Sequence, residues 1–249
     1  MMPINLIRSE LQKVATTSMP WSFLAVLVVL AVTNGVAVAV GTDMDGSKTF
    51  ISTGADQQSL MAFAANSFMI AGLFGAIAAA REYAHNTVIA TYLNTPNRTR
   101  ALGAQFAAIG AGGAILGLLG SALTAAAVAV SLPLTGYGFM VSTSGLIQVL
   151  VAAGWAGAAG AVLGAGIGTI VRNTGGAVAG TVLALVIAPP VIVQLAGEAD
   201  PWLVPGTLAT VASGVADHTS PVSAAAAIGA WAIVPAIAAL WSVHHRDVV

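Results

Sequence analysis

Apolar residues in this chain fall into long runs separated by short polar segments. A helix needs about 20 apolar residues to cross roughly 30 Å of hydrocarbon at 1.5 Å per residue. Six runs meet that length: Trp21 to Val40, Leu60 to Ala80, Leu102 to Val130, Leu146 to Ile170, Ala177 to Ala196 and Ala224 to Trp241. Each predicts a transmembrane helix, and the third is long enough to tilt or to extend beyond the bilayer. Ahead of the first run, Ile4, Ile7, Leu11 and Val14 recur at spacings of three, four and three, with Arg8, Glu10 and Lys13 between them. That pattern predicts an amphipathic helix lying in the membrane interface, either as an ordinary anchor or in a mechanical role. The expected fold is therefore an all-α membrane protein with one domain over 1–249: an interfacial helix over 1–19 and a six-span bundle over 20–249.

The polar segments refine this picture. Arg8 and Lys13 precede the first run and Ala37-Val38-Ala39 looks like a cleavage box. A signal-peptide core is only about 7–15 residues, however, so an uncleaved helix is expected. Between the second and third runs, Arg81 to Arg100 contains Asn86 and Thr87 as candidate helix caps and Asn94 and Pro96 as stops. A short helix there would present Val88, Ile89, Tyr92 and Leu93, which suits a docking element, or a helix resting on the membrane surface. Only Arg172 to Gly176 joins the fourth and fifth runs, which predicts an antiparallel hairpin. Pro189-Pro190 should kink or break the outer half of the fifth span. Beyond it, Trp202-Leu203-Val204-Pro205 predicts a short helix at the outer membrane surface.

Composition agrees with burial in lipid. Charged residues make up 7% of the chain, and hydrophobic residues 57%. An ordinary soluble domain is about 25% charged. From Ala101 to Val171 there is no Asp, Glu, Lys or Arg. Six spans divide the basic residues into Arg8, Lys13, Arg81, Arg98, Arg100, Arg172 and Arg246 on one side and Lys48 on the other. Basic residues favour the cytoplasmic face, so an inner (plasma) membrane protein with both termini inside is expected. A net charge of −1 gives no field directed at nucleic acid, and the absence of cysteine excludes disulfides and thiolate sites.

Candidate chemistry is sparse. Gly41 to Thr49 approaches a phosphate-binding loop, but Ser47 is one residue too many before Lys48, and the segment lies in an outward loop. The histidines, His85, His218, His244 and His245, lie in loops or tails and lack metalloprotease spacing. No catalytic or metal-ligating constellation is expected. The spans carry neutral polar groups in place of midplane charges: Asn34, Asn66, Ser67, Gln105, Gln148 and Gln194. Asn34, Asn66, Ser67, Gln148 and Gln194 are candidates to line an outer translocation vestibule, and each could equally serve interhelical hydrogen bonding. Gly113 and Gly117, and Gly160, Gly164 and Gly168, are spaced by four and predict faces of close helix contact.

Four features together resemble the permease subunits of ABC-2 type transporters. Ser9-Glu10-Leu11-Gln12-Lys13 with Thr16-Thr17 is similar to that family's amphipathic N-terminal helix. Arg81-Glu82-Tyr83-Ala84-His85-Asn86-Thr87 resembles its R-E-[YF]-x-x-G-T segment, with Asn86 in place of the usual glycine. Trp202-Leu203-Val204-Pro205 resembles its outer helix, and Arg246-Asp247-Val248 its frequent R-R-D-V ending, with His245 in place of the first arginine. The resemblance implies that Arg81, Glu82, Tyr83 and Thr87, together with Val88 and Tyr92 of the same segment, form a cytoplasmic coupling helix. It would contact a separate ABC ATPase subunit that binds ATP and Mg, while the chain itself carries no cofactor. It also implies a second permease subunit, identical or different, and export of an amphiphilic or hydrophobic substrate. An ion-coupled secondary carrier, an intramembrane enzyme and a non-transporting membrane scaffold are the competing readings.

Overall fold

A computed structural model describes residues 3–64, 66–85, 87, 97–196, 214 and 220–245. Among these residues every regular element is helical. Helix α1, Pro3–Thr16, ends at a bend over Thr17 and Ser18, and α2, Met19–Val40, begins there. Pro20 in the first turn of α2 removes only a donor that would have no helical partner, so the bend falls where proline is tolerated. A 3-10 turn, Thr49–Ile51, leads to α3, Gly54–Ala64, and α4, Ser67–Ala84. The remaining helices are α5, Arg98–Ser131, α6, Thr143–Val171, α7, Thr174–Val182, α8, Ala188–Ala196, and α9, Pro221–His245.

Among the described residues six helical stretches are long and apolar enough to cross a membrane: Met19–Val40, Gly54–Ala84, Arg98–Thr135, Thr143–Val171, Thr174–Val191 and Pro221–His245. Their outward surface is apolar too. Val29, Val32 and Val36 of α2, Val151 of α6 and Ile233, Val234 and Ile237 of α9 are all exposed. On a soluble protein so large an apolar surface would aggregate; facing hydrocarbon it is ordinary. The chain is a multi-pass membrane protein.

Helix α6 occupies the centre, packed against α4, α5 and α9. Small residues make this possible. A methyl group added at Gly164 would overlap the carbonyl oxygen of Gly72, and one at Gly75 would overlap that of Ala161. On the other flank the backbones of Gly157 and Gly113 meet in the same way. Without a hydrophobic drive between helices in lipid, such close backbone approach supplies the association energy through dispersion contacts. The glycine faces read from the sequence therefore do pack, and they build α4–α6–α5 as one layer.

Two spans differ from the sequence reading. The second is longer than Leu60 to Ala80 and is interrupted between α3 and α4, where Asn66 adopts a left-handed backbone with φ 41°. Asparagine tolerates that region because its side chain can hydrogen-bond locally. The 18 residues of α4 reach about 27 Å, short of the roughly 30 Å of hydrocarbon, and α3 and α4 fall within one apolar stretch, Gly54–Ala84. In the fifth span, Pro189-Pro190 does not break the helix. A π-turn over Leu183–Ile187 lies just before the prolines, with the Ala188 N–H bonded to Leu183 O, and α8 continues through Ala196. The wider turn absorbs the missing proline donors, as π-bulges do elsewhere.

Candidate functional site

Charged side chains of two helices, Glu10 and Lys13 of α1 and Glu82 of α4, meet at an elbow where α1 lies beside the end of α4. Helix α1 packs on α5, and Val14 joins the cluster formed by Phe74, Leu102 and Phe106. The sequence pattern placed Glu10 on the polar side of α1, with Leu11 in the apolar stripe. The structure reverses this: Glu10 is 4% exposed and Leu11 38%. Burial of a carboxylate requires a partner, and Lys13, one turn on, supplies it at 2.6 Å. The same Lys13 ammonium lies 3.7 Å from Glu82 of α4. One lysine thus ties two carboxylates on two helices together at the elbow.

Helix α4 ends beside this pair. The His85 N–H bonds to Arg81 O at 3.0 Å, and Thr87 Oγ1 donates to Glu82 O at 3.2 Å. Tyr83 receives the guanidinium of Arg172 over its ring at 5.2 Å, a cation–π contact. Arg172 closes α6 in a left-handed conformation, φ 58°, with its N–H on Gly168 O. The α6–α7 turn is therefore anchored to the end of α4. Next to the elbow lies a cavity of about 400 Å³, whose walls include Lys13, Val14, Met19, Arg81, Glu82 and Thr87.

Of the residues assigned to coupling, Arg81, Glu82 and Thr87 share the cavity wall, and Tyr83 faces α6 through Arg172. Val88 and Tyr92 lie outside the described residues, as do Asn86, Ile89, Leu93, the Trp202 to Pro205 segment and Arg246 to Val248. The five candidate vestibule residues are spread over four places. Asn34 is half-buried on α2, Asn66 is exposed at the α3–α4 break, and Ser67 beside it is buried. Gln148 is half-buried on α6 against Gly214, and Gln194 is exposed on α8. None of them borders the elbow cavity.

The opposite end of the bundle is closed by side-chain–backbone bonds. The Gly41 to Thr49 segment folds around its own carboxylates: Asp43 accepts from the Thr49 N–H at 2.8 Å, from the Thr49 hydroxyl and from Ser47 Oγ at 3.2 Å. Those Thr49 bonds hold the Asp43 carboxyl below its usual range, and bonds from Ser47 do the same for Asp45. Lys48 donates to Ala39 O at 2.7 Å, capping the end of α2. A segment with anionic groups at its centre and its lysine spent on helix carbonyls is no phosphate cradle. Nearby, the fully buried Gln57 donates to Ile51 O at 3.1 Å and Gly138 O at 3.0 Å, and accepts from the Met140 N–H at 2.9 Å.

Sequence reasoning missed Lys13 as a bridge, Glu10 as a buried group and Gln57 as a clamp. The first two had a signal, an acid and a base three residues apart. Gln57 had none, because besides Ile51 O its partners are backbone atoms 81 and 83 residues away. Among the described residues no three His, Cys, Asp or Glu are placed to hold a metal ion. The chain matches no protein-family model and no curated protein.

Proposed function

We propose that this chain is the membrane-spanning permease subunit of an ATP-binding-cassette exporter of the ABC-2 type. In this reading it lies in the inner membrane with both termini cytoplasmic, paired with a second permease subunit. It moves an amphiphilic or hydrophobic substrate, driven by a separate ATPase that binds ATP and Mg. The observation that carries the reading is the elbow: Lys13 of the amphipathic α1 reaches Glu82 at the end of α4, inside the segment that resembles the family's coupling motif.

The physical argument is one of force transmission. The 249 residues contain no phosphate-binding loop, and the run from Ala101 to Val171 holds no Asp, Glu, Lys or Arg through which a proton or sodium gradient would act. Energy must then enter from a partner at the rim. A push on the Arg81–Thr87 segment reaches α1 through the Lys13–Glu82 contact and reaches α6 through Tyr83 and Arg172. Because α4, α5 and α6 meet backbone to backbone, the push moves them as a rigid layer, in the manner of rigid-body switches.

Purification in mild detergent from native membranes tests this. A stoichiometric ATPase carrying a phosphate-binding loop is expected to copurify. Glu82→Ala should leave membrane insertion intact and lower transport by a factor on the order of 10, since coupling free energies are typically about 1–3 kcal/mol. Full transport by Glu82→Ala would remove the coupling role.

A further inference from the structure

The elbow cavity combines two features that coupling to a protein does not require. Its lining joins apolar Val14, Met19 and Ala78 to Lys13, Arg81 and the carboxylate of Glu82, and on α4 Ala78 lies about one turn further into the span than Arg81 and Glu82. Lys13 is already engaged by Glu10 and Glu82. Arg81 is half-buried and makes no ion pair or hydrogen bond with its side chain among the described residues. A guanidinium offers five N–H donors in a planar fork that fits two phosphate oxygens.

We propose that this cavity seats the phosphate-bearing headgroup of an anionic phospholipid, with Arg81 as the phosphate ligand and the upper acyl carbons lying along Val14, Met19 and Ala78. Three observations select this occupant. Met19 is the first residue of the first membrane-spanning helix, so the cavity sits at headgroup depth. Its volume of about 400 Å³ falls in the range of small-ligand sites, about 300–1,000 Å³, and is too small for a helical segment of a partner. Along α4 the lining passes from Arg81 and Glu82 at the helix end to Ala78 within the span, the polarity of a lipid from head to chain, and basic pockets between membrane helices recognise such heads. The inference goes beyond the transport reading: it needs this end to lie at the membrane–water interface and is independent of any ATPase.

Native mass spectrometry of the purified full chain in detergent tests it, using phosphatidylglycerol and phosphatidylcholine of matched chains. Retention of phosphatidylglycerol at least about tenfold above phosphatidylcholine is expected: both heads bring a phosphate to Arg81, but the quaternary ammonium of choline is repelled by the guanidinium. Arg81→Gln should erase the preference, while Lys48→Gln, at the other end of α2, should keep it. Equal retention of the two lipids by the wild type overturns the proposal and requires no variant to fold. So does a preference that survives Arg81→Gln, or displacement of the lipid by millimolar inorganic phosphate, which would mark a free-phosphate site. A photoreactive side chain at Thr17 should give a phospholipid adduct in native membranes; a peptide adduct there overturns the lipid occupant. Each of these failures leaves the transport reading standing, because none involves nucleotide or cargo.

Discussion

At the scale of single residues, the molecule depends on what is absent from Cβ. Gly164 and Gly75 sit where a methyl would overlap the backbone of the facing helix, whereas nothing lies within 4 Å of a Cβ built at Gly103. Gly164→Ala and Gly75→Ala are each expected to destabilise by about 1–3 kcal/mol, the usual result of forcing volume into a packed interface. Gly103→Ala should be neutral or stabilising by about 0.5–1 kcal/mol, because alanine is the better helix former. Thermal unfolding in detergent measures all three, and equal effects would contradict the packing described. The four-residue glycine spacing made the Gly164 contact legible from the sequence, whereas Gly75 lies outside that spacing and was not singled out. Glu10 was not legible: its period put it on the polar face, and only the bundle behind α1 decides that this face is inward.

At the scale of elements, helix starts were readable in more detail than counting apolar residues allowed. Asn97, Ser142, Asn173 and Ser220 each accept a hydrogen bond from the N–H three residues on. These N-caps lie outside the apolar runs, which is why the helices begin earlier than hydrophobicity alone indicates. The interruption at Asn66 and the π-turn before Pro189 were not fixed by local pattern, since both depend on how the neighbouring helices accommodate the freed backbone groups. Gln57 joins two outer segments that are remote in sequence, so its removal should loosen both. Gln57→Leu leaves Gly138 O and the Met140 N–H without their partner, a loss of about 1–3 kcal/mol. Amide exchange at Met140 is expected to quicken by about tenfold or more; unchanged exchange would show that the clamp carries nothing. The Asp43 turn adds a pH dependence. Its carboxyl lies below the ordinary value of 3.8, so its contribution is present above that value and is lost as pH falls through the depressed one. The protection factor of the Thr49 amide should therefore hold from neutral pH to about pH 4 and drop below it, while Asp43→Asn, whose amide oxygen accepts but does not titrate, should lose the pH dependence. Constant protection down to pH 2 would contradict the assignment.

At the scale of the whole molecule, the number of spans was the most legible property, because lipid imposes a length on every crossing and a charge-free interior on the bundle between. Among the described residues six helical stretches are long and apolar enough to span, where six were expected. Which faces meet was less legible, since uniform apolar helices carry almost no moment to orient them; only the glycines broke that symmetry. The elbow was half legible: Arg81 and Glu82 stood out as charges at the end of a span, but their link to Lys13 crosses nearly seventy residues. On the proposed reading, this end of α4 faces the cytoplasm and is gripped by a peripheral ATPase. Because the chain has no cysteine, Thr87→Cys introduces a unique thiol beside Glu82. Its reaction with a membrane-impermeant maleimide is the most direct test. No labelling is expected in intact cells, with labelling in inside-out vesicles that rises once peripheral proteins are stripped away. Labelling from the exterior of intact cells, or labelling of vesicles that is indifferent to stripping, would contradict it.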